Sequence, residues 1–461
     1  MHIIIKSLIL LSISLVTSVG YANELKTTDT PLAAPPVAPL TLIEIFDQVN
    51  KALVSEDFQK ALDLLNQGLT LQPTNAVAYK LRGDIHLKFN KTPEAIADFE
   101  KAIEIRPSYH EVAFELATIY KKQEKYQKAL QLITNALIEN ERNIKYYALR
   151  ASLYLALQSK QLAYLDYSTI NQLEPSDSTY LASAQILYEL GKNDKVISET
   201  SKGIALNSNN DRLIFLRGLA YKSKLNCKNA TNDFNKSLQL KPNTNEYLFE
   251  RAQCNNSIGK YSEALVDINT VISSQPKNIE FLLQLGIIRG NLNEFQTARE
   301  VYDQAIALDP NNSTAFFLRG IIFEKNNQHG LALKDYNKAI QLQPNYQSAL
   351  FNRANLFRKT KDYESSLRDV SKLIALNSLD DSLYVTRGLI YLEANNESAA
   401  EQDFSKAIDL NKGSVGAYLE RAKLYISQNK NAKAREDLKI LTSIAPTSLE
   451  VKALLKTIGW Y

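Results

Sequence analysis

The sequence predicts an all-α solenoid of about twelve helix-turn-helix repeats between residues 41 and 446. A proline recurs every 34 residues, and a fixed period of roughly 20–50 residues is typical of stacked repeat units. Apolar residues recur at three- and four-residue spacing in both halves of each period, which predicts two helices per unit. The 461 residues exceed what one hydrophobic core usually holds, whereas stacked repeats contact only their neighbours. The periodic prolines are Pro73, Pro107, Pro175, Pro242, Pro276, Pro310, Pro344 and Pro446.

The N-terminal segment has the features of a secretory signal peptide over residues 1–22. Lys6 precedes an apolar stretch, and small residues before Ala22 predict cleavage after that residue. An uncleaved membrane anchor is the alternative, although the apolar stretch is short for a span. Residues 23–40 hold four prolines and are expected to form a flexible linker. We therefore expect an exported protein, periplasmic or extracellular.

Each repeat is predicted to hold helix A at positions 1–14 and helix B at positions 15–28, with the proline at position 32 ending the unit. The repeat at residues 144–176 is one residue short. Equivalent residues recur at fixed positions, as in Arg217-Gly218, Tyr221, Ala230, Asp233-Phe234 and Pro242, and again in Arg319-Gly320, Phe323, Ala332, Asp335-Tyr336 and Pro344.

This pattern resembles the tetratricopeptide repeat (TPR) family, which has small residues at positions 8, 20 and 27, aromatics at 11 and 24, and proline at 32. The resemblance covers about nine-tenths of the chain. It implies a right-handed superhelix whose concave face is lined by helix A, mainly through positions 2, 5, 6, 9, 12 and 13. It also implies a partner-binding role without catalysis.

Arginine at position 7 and aspartate at position 23 occur together in eight repeats, and the repeats that lack one lack the other. Residues 7 and 23 lie at equal distances from the turn of a helical hairpin and should face each other. The pattern therefore predicts an ion pair between helices A and B, while arginines lining a ligand groove are the alternative. The pairs are Arg82–Asp98, Arg150–Asp166, Arg217–Asp233, Arg251–Asp267, Arg319–Asp335, Arg353–Asp369, Arg387–Asp403 and Arg421–Asp437.

The two cysteines, Cys227 and Cys254, lie in adjacent repeats. In an oxidising compartment they could form a disulfide between those repeats, and two small buried thiols are the equal alternative. The last segment, residues 447–461, has helical apolar spacing and is expected to cap the solenoid.

No catalytic constellation is visible, so we expect no enzyme activity and no cofactor. The histidines are isolated, and no spacing typical of metal ligands or of a phosphate-binding loop occurs. The net charge of +4 comes from interspersed acids and bases and does not indicate nucleic-acid binding. We expect a protein or peptide partner, no small-molecule substrate, and at most a peripheral association with a membrane.

The concave positions implied by the family give a mixed candidate surface of aromatics, amides and one arginine. Such a surface suits an extended peptide or a helix, whereas the alternatives are that position 5 packs between A helices and that the amides are merely solvated. The family's known carboxylate clamp is disfavoured, because Asp84 stands where the clamp of the second repeat has asparagine. The candidate residues are Phe215, Phe249, Gln253, Asn256, Gln284, Phe317, Phe351, Asn352, Asn355 and Arg358.

These observations favour a scaffold or adaptor of the cell envelope. Two alternatives remain open: a secreted effector or colonisation factor that binds host proteins, and an envelope protein that assists polysaccharide export. The scaffold interpretation and the envelope location rest on family analogy.

Overall fold

The structure, a computed structural model, describes residues 40–460 and is all-helical there, with 25 α-helices and no strand. The predicted signal peptide and all but the last residue of the predicted linker lie outside the described residues. The chain divides into two compact units, one ending at Glu139 and one beginning at Asn140.

The first unit contains three helical hairpins and the second contains nine, which confirms the predicted twelve. The helices of the first unit are α1 (Leu42–Val54), α2 (Phe58–Leu71), α3 (Ala76–Lys88), α4 (Thr92–Ile105), α5 (His110–Lys122) and α6 (Tyr126–Glu139). The second unit begins with α7 (Ile144–Ala156), α8 (Lys160–Leu173), α9 (Asp177–Glu189), α10 (Asn193–Leu206), α11 (Asp211–Ser223), α12 (Cys227–Leu240), α13 (Asn245–Ser257), α14 (Tyr261–Ser274), α15 (Ile279–Asn291) and α16 (Phe295–Leu308). It continues with α17 (Ser313–Lys325), α18 (His329–Leu342), α19 (Gln347–Lys359), α20 (Tyr363–Leu376), α21 (Asp381–Glu393), α22 (Glu397–Leu410), α23 (Val415–Ser427), α24 (Asn431–Ile444) and α25 (Leu449–Thr457). Odd-numbered helices up to α23 are A helices, and even-numbered helices up to α24 are B helices.

Local chemistry fixes the ends of these helices. Several A helices begin after an asparagine whose side chain accepts a backbone N–H, as Asn75 does from Ala78 and Asn312 does from Ala315. The turn between A and B places its position-15 residue in the left-handed region in every hairpin. Asparagine or glycine fills that position in seven hairpins, which suits a backbone conformation that costs other residues energy.

The Arg–Asp pairing is confirmed in all eight hairpins that carry it. Each arginine Nε donates to one carboxylate oxygen at 2.7–3.0 Å, and Nη2 donates to the other at 2.6–2.7 Å. All eight aspartates are buried. A bidentate, charge-assisted pair between helices A and B therefore fixes the two helices of one hairpin against each other.

The sequence analysis missed a third contact of these arginines. In seven of the eight hairpins, Nη1 donates at 2.6–3.2 Å to the residue at position 25 of the preceding B helix. The acceptors are Asn66, Ser201, Asn235, Asp303, Asn337, Ser371 and Ser405. Each of these arginines thus also ties its hairpin to the one before it, within a single unit.

A second covarying pair fills the hairpin interior. In five hairpins position 8 is glycine, and a Cβ added there would lie 2.4–2.7 Å from the ring at position 24. Hairpins with alanine at position 8 mostly carry a smaller residue at position 24, as in Ala252 with Ile268. In these five hairpins the glycine leaves the space that the ring occupies, whereas the fourth hairpin combines Ala151 with Tyr167. The five pairs are Gly83–Phe99, Gly218–Phe234, Gly286–Tyr302, Gly320–Tyr336 and Gly388–Phe404.

The C-terminal helix α25 continues the second unit after the last hairpin. Val451, Leu455 and Ile458 are buried in the same hydrophobic cluster as Leu441 of α24. Lys452 is exposed, and Trp460 is 41% exposed rather than part of the core. One face of α25 is thus apolar and packed while the other is polar, as a terminal cap requires.

Candidate partner-binding surface

The A helices of the second unit form the candidate surface. Beyond their contacts with B helices, α9, α11, α13 and α15 each contact the next A helix directly, and α21 contacts α23. Side chains at positions 2, 5, 6, 9, 12 and 13 of these helices define what we call the A-helix surface.

Two of the candidate aromatics do not contribute to this surface. Phe215 is 4% exposed, and its ring centroid lies 4.3 Å from that of Tyr247. Phe249 is 8% exposed and stacks at 4.9 Å on Phe281 of the next A helix. For these two residues the structure supports the packing alternative, because their rings fill the space between successive A helices.

The later aromatics are more accessible. Phe317 is partly buried between Tyr336 and Tyr346, at centroid distances of 6.0 and 5.0 Å. Phe351 is 39% exposed. Aromatic contact area is therefore available on α19 rather than on α11 and α13.

The candidate amides fall into two groups. Gln253 accepts a hydrogen bond from Lys222 and Asn256 accepts one from Asn291 at 3.0 Å, while Asn352 is near enough to the Tyr336 hydroxyl to oppose the rise of its pKa. By contrast, Gln284 and Asn355 are half-buried and have no side-chain hydrogen-bond partner within residues 40–460. These two amides retain their full capacity to bond a peptide backbone.

Aliphatic residues that the sequence analysis overlooked complete the surface. Leu283, Ile287, Ile321 and Leu389, at positions 5 and 9 of α15, α17 and α21, are half-buried. Their signal was present in the sequence, because position 9 is aliphatic in four repeats of this unit and polar in most others.

Charged side chains on this surface pair with one another across hairpin boundaries. Arg212 bonds Glu246 at 2.9 Å, and Lys222 bonds Glu250 at 2.5 Å. Lys359 reaches Glu324 at 2.8 Å, where the Tyr336 hydroxyl also donates at 3.0 Å. Burial, followed by the charge of Glu324, raises the pKa of Tyr336 well above its usual range, so the hydroxyl stays a donor.

Arg358, the charged candidate, lies 3.9 Å from Glu393 of the next A helix and is about one-third exposed. Its contact is longer than the other ion pairs of the surface, so its guanidinium retains donors for a partner.

In the first unit, Lys80 occupies the position that a carboxylate clamp would use. It is bonded to Asp84 and lies 3.7 Å from Glu115. Burial raises the pKa of both carboxyls, and Lys80 opposes that rise. A lysine flanked by two acids is a poor receptor for a carboxylate.

The described residues contain no cluster of three or more potential metal ligands of the His, Cys, Asp or Glu type. None of the helices between residues 40 and 460 has the length and apolar run that crossing a bilayer requires.

The paired helices, the position-8 and position-24 packing and the left-handed A–B turns define an α-solenoid repeat protein. Models of the tetratricopeptide repeat match residues 46–110, 86–153, 283–347 and 381–413. The chain is a tetratricopeptide repeat protein, and proteins of this family act as scaffolds for protein interactions.

Similarity to curated proteins is confined to short segments. A rice protein SGT1 homolog is 33% identical over 86 residues, which are 19% of this chain and 23% of that protein. A UDP-N-acetylglucosamine–peptide N-acetylglucosaminyltransferase of Giardia intestinalis is 34% identical over 105 residues, which are 22% of this chain and 7% of the transferase. The chain therefore spans less than a quarter of either relative.

Among solved structures, the Naa15/Naa10 complex with HypK-THB aligns with 90% of this chain and 70% of its own, at a TM-score of 0.45 and 14% identity. Yeast Tom70 aligns with 88% of this chain and 98% of its own, at a TM-score of 0.41 and 16% identity.

Proposed function

We propose that this chain is an exported, non-catalytic scaffold of the cell envelope that binds a protein or peptide partner on the A-helix surface of its second unit. The observation that carries this proposal is the stretch on α15, α17, α19 and α21 where half-buried aliphatics, the exposed Phe351 ring and two unpaired amides occur together. Apolar side chains supply contact area for a partner, and free amides bond a peptide backbone without requiring a particular sequence.

The surrounding charges support a partner of low net charge. Lys222, Lys359 and Arg212 are already neutralised by glutamates of neighbouring hairpins. A strongly acidic or basic partner would have to break these pairs to gain its own. Binding through apolar and amide groups leaves them intact.

Site-specific crosslinking tests the surface. A photo-crosslinking residue is placed at Asn355 or, as the control, at Leu331, which is 46% exposed on the B helix α18. We expect partners to be captured from native envelope fractions at position 355 only, and Phe351→Ala to reduce that capture. The same partners captured equally from both positions would contradict the proposed surface.

The location is tested separately. Export with cleavage after Ala22 predicts a mature N-terminus at Asn23, which intact-mass measurement of the native protein would reveal. Periplasmic retention would favour the envelope scaffold, whereas release into the medium would favour the effector. The polysaccharide alternative needed exposed aromatics, and the burial of Phe215 and Phe249 removes two of them.

A further inference from the structure

The only two cysteines of the chain touch each other across a hairpin boundary. Cys227 is the first residue of α12, the B helix of the sixth hairpin, and Cys254 lies on α13, the A helix of the seventh. Both side chains belong to one hydrophobic cluster, and the Cys227 thiol is near enough to contribute to the raised pKa of the Cys254 thiol. Cys254 is fully buried, while Cys227 is half-buried and packs against the same hydrophobic cluster.

Equivalent positions in other hairpins show what these cysteines replace. Cys254 stands at position 10, which in neighbouring hairpins holds a buried aliphatic such as Ile288 or Ile322. Cys227 stands at position 17, which in the two following hairpins carries a large ring, Tyr261 in the same cluster as Ile288 and Phe295 in the same cluster as Ile322. Compared with those two hairpins, a thiol replaces both the ring and the aliphatic.

Packing alone explains one of the two cysteines. A buried thiol behaves as a small hydrophobe, so Cys254 by itself would need no further role. Cys227 is partly exposed, however, and a small residue there covers the core less well than the rings of the two following hairpins, Tyr261 and Phe295. The joint replacement of two contacting residues is what a covalent link between them requires.

We propose that Cys227 and Cys254 are a modification site that forms a disulfide between the sixth and seventh hairpins. The half-buried Cys227 reacts first: its thiolate attacks a disulfide oxidant, which releases one thiol and leaves a mixed disulfide. The Cys254 sulfur then attacks the Cys227 sulfur, loses its proton and displaces the second thiol of the oxidant. The two cysteines together lose two protons and two electrons, and the oxidant disulfide gains both electrons.

The bond would fix part of the A-helix surface. Gln253, next to Cys254 on α13, and Glu250 on the same helix both bond Lys222 of α11. A disulfide from α12 to α13 holds that helix against the sixth hairpin even when these non-covalent contacts open. The inference does not depend on the proposed partner, because it concerns only the two thiols and an oxidant.

Oxidation of the purified full-length protein by glutathione disulfide tests the site. We expect the intact mass to fall by two hydrogen atoms and both thiols to disappear, with glutathione appearing only transiently and only on Cys227. Burial raises the pKa of the Cys254 thiol, so the second step should be the slow one and should accelerate with rising pH. Backbone amides of α12 and α13 that exchange when the sixth and seventh hairpins separate should exchange more slowly in the oxidised protein, by on the order of 100-fold.

Two variants separate the possible outcomes. Cys254→Ala should trap one stable glutathione on Cys227, and Cys227→Ser should acquire none, because Cys254 is buried. The proposal would be overturned if the wild-type protein stayed glutathionylated at Cys227 with Cys254 reduced. It would also be overturned if the wild-type protein kept both thiols under conditions that fully glutathionylate the Cys254→Ala variant.

Discussion

Breaking one Arg–Asp pair should destabilise its hairpin strongly, and Arg387→Leu on α21 is the clearest case. Arg387 bonds both oxygens of Asp403 at 2.7 Å and bonds Ser371 of the preceding B helix at 3.2 Å. Asp403 is only 6% exposed, so the substitution leaves a buried carboxylate without its cation. Removing one partner of a buried pair costs about 3–5 kcal/mol, and we expect a loss in that range.

Removing Asp403 as well should restore most of the loss. The chain itself provides a precedent, because its third hairpin carries Leu116 and Leu132 at the same two positions. In Arg387→Leu/Asp403→Leu no charge remains buried, and Ser371 loses one hydrogen bond worth about 1 kcal/mol. The double variant should therefore lie within roughly 1–2 kcal/mol of wild type, a coupling of at least about 1 kcal/mol.

Hydrogen exchange of peptides from α21 and α22 measures this coupling locally, which matters because a long repeat array need not unfold in one step. The reasoning would be refuted if the loss of local stability in the double variant equalled the sum of the losses in the two single variants. Arg319 is an informative contrast, because it also pairs with Asp303 at 2.7 Å. Arg319→Leu/Asp335→Leu also removes this pair and leaves Asp303 with only Arg299, 3.7 Å away, so we expect a smaller recovery there.

Three further predictions concern packing, backbone strain and pH. Gly388→Ala should cost about 1–3 kcal/mol, because its Cβ would lie 2.6 Å from the Phe404 ring, and adding Phe404→Ile should recover part of the loss in urea unfolding. Leu225 has φ 58° and is 92% exposed, so Leu225→Gly should remove about 1 kcal/mol of backbone strain and raise the thermal midpoint. At the equivalent turn of another hairpin, Asn395→Leu should introduce that strain and lower the thermal midpoint. Burial raises the pKa of Tyr120 and of Tyr247 to about 12, so folded-state stability should be intact below about pH 10 and lost as pH rises towards 12. Because the chain has 24 tyrosines, the two must be followed individually by NMR, and their ionisation near pH 10 with unchanged helical circular dichroism would contradict the last prediction.

Most of the fold could be predicted from one sequence because its determinants recur. The 34-residue period predicts the helix pairs. The joint presence or absence of arginine at position 7 and aspartate at position 23 predicts the contact between helices A and B. The third contact, from Arg387 to Ser371 or from Arg251 to Asn235, was missed because its acceptor varies among serine, asparagine and aspartate. Asn269 also occupies that position before a hairpin with no arginine, so the acceptor is not diagnostic in sequence.

The candidate surface was predicted less well, and the reason is physical. Position 5 is phenylalanine on α11, α13, α17 and α19, yet its exposure rises from 4% at Phe215 to 39% at Phe351. The difference comes from the neighbours: Tyr247 and Phe281 of the next A helices cover the earlier rings. The residue type at one repeat position therefore does not predict its exposure, because the exposure depends on the side chains that the following repeat packs against it.

Helix α19 shows why the fold of a repeat protein is easier to predict than its partner. Arg353 at position 7 bonds Asp369 and Asn337 of the flanking B helices. Asn355, two residues later, lies about 200° further around the same helix, where it has no such partner. Residues that hold the stack must fit the same neighbours in every hairpin, so they recur with the period and reveal themselves. Residues that bind a partner meet a different part of it in each hairpin, so they have no reason to recur. The regularity that reveals the scaffold therefore carries no information about the ligand, and departures from it, such as Gln284 and Asn355, are where recognition should be sought.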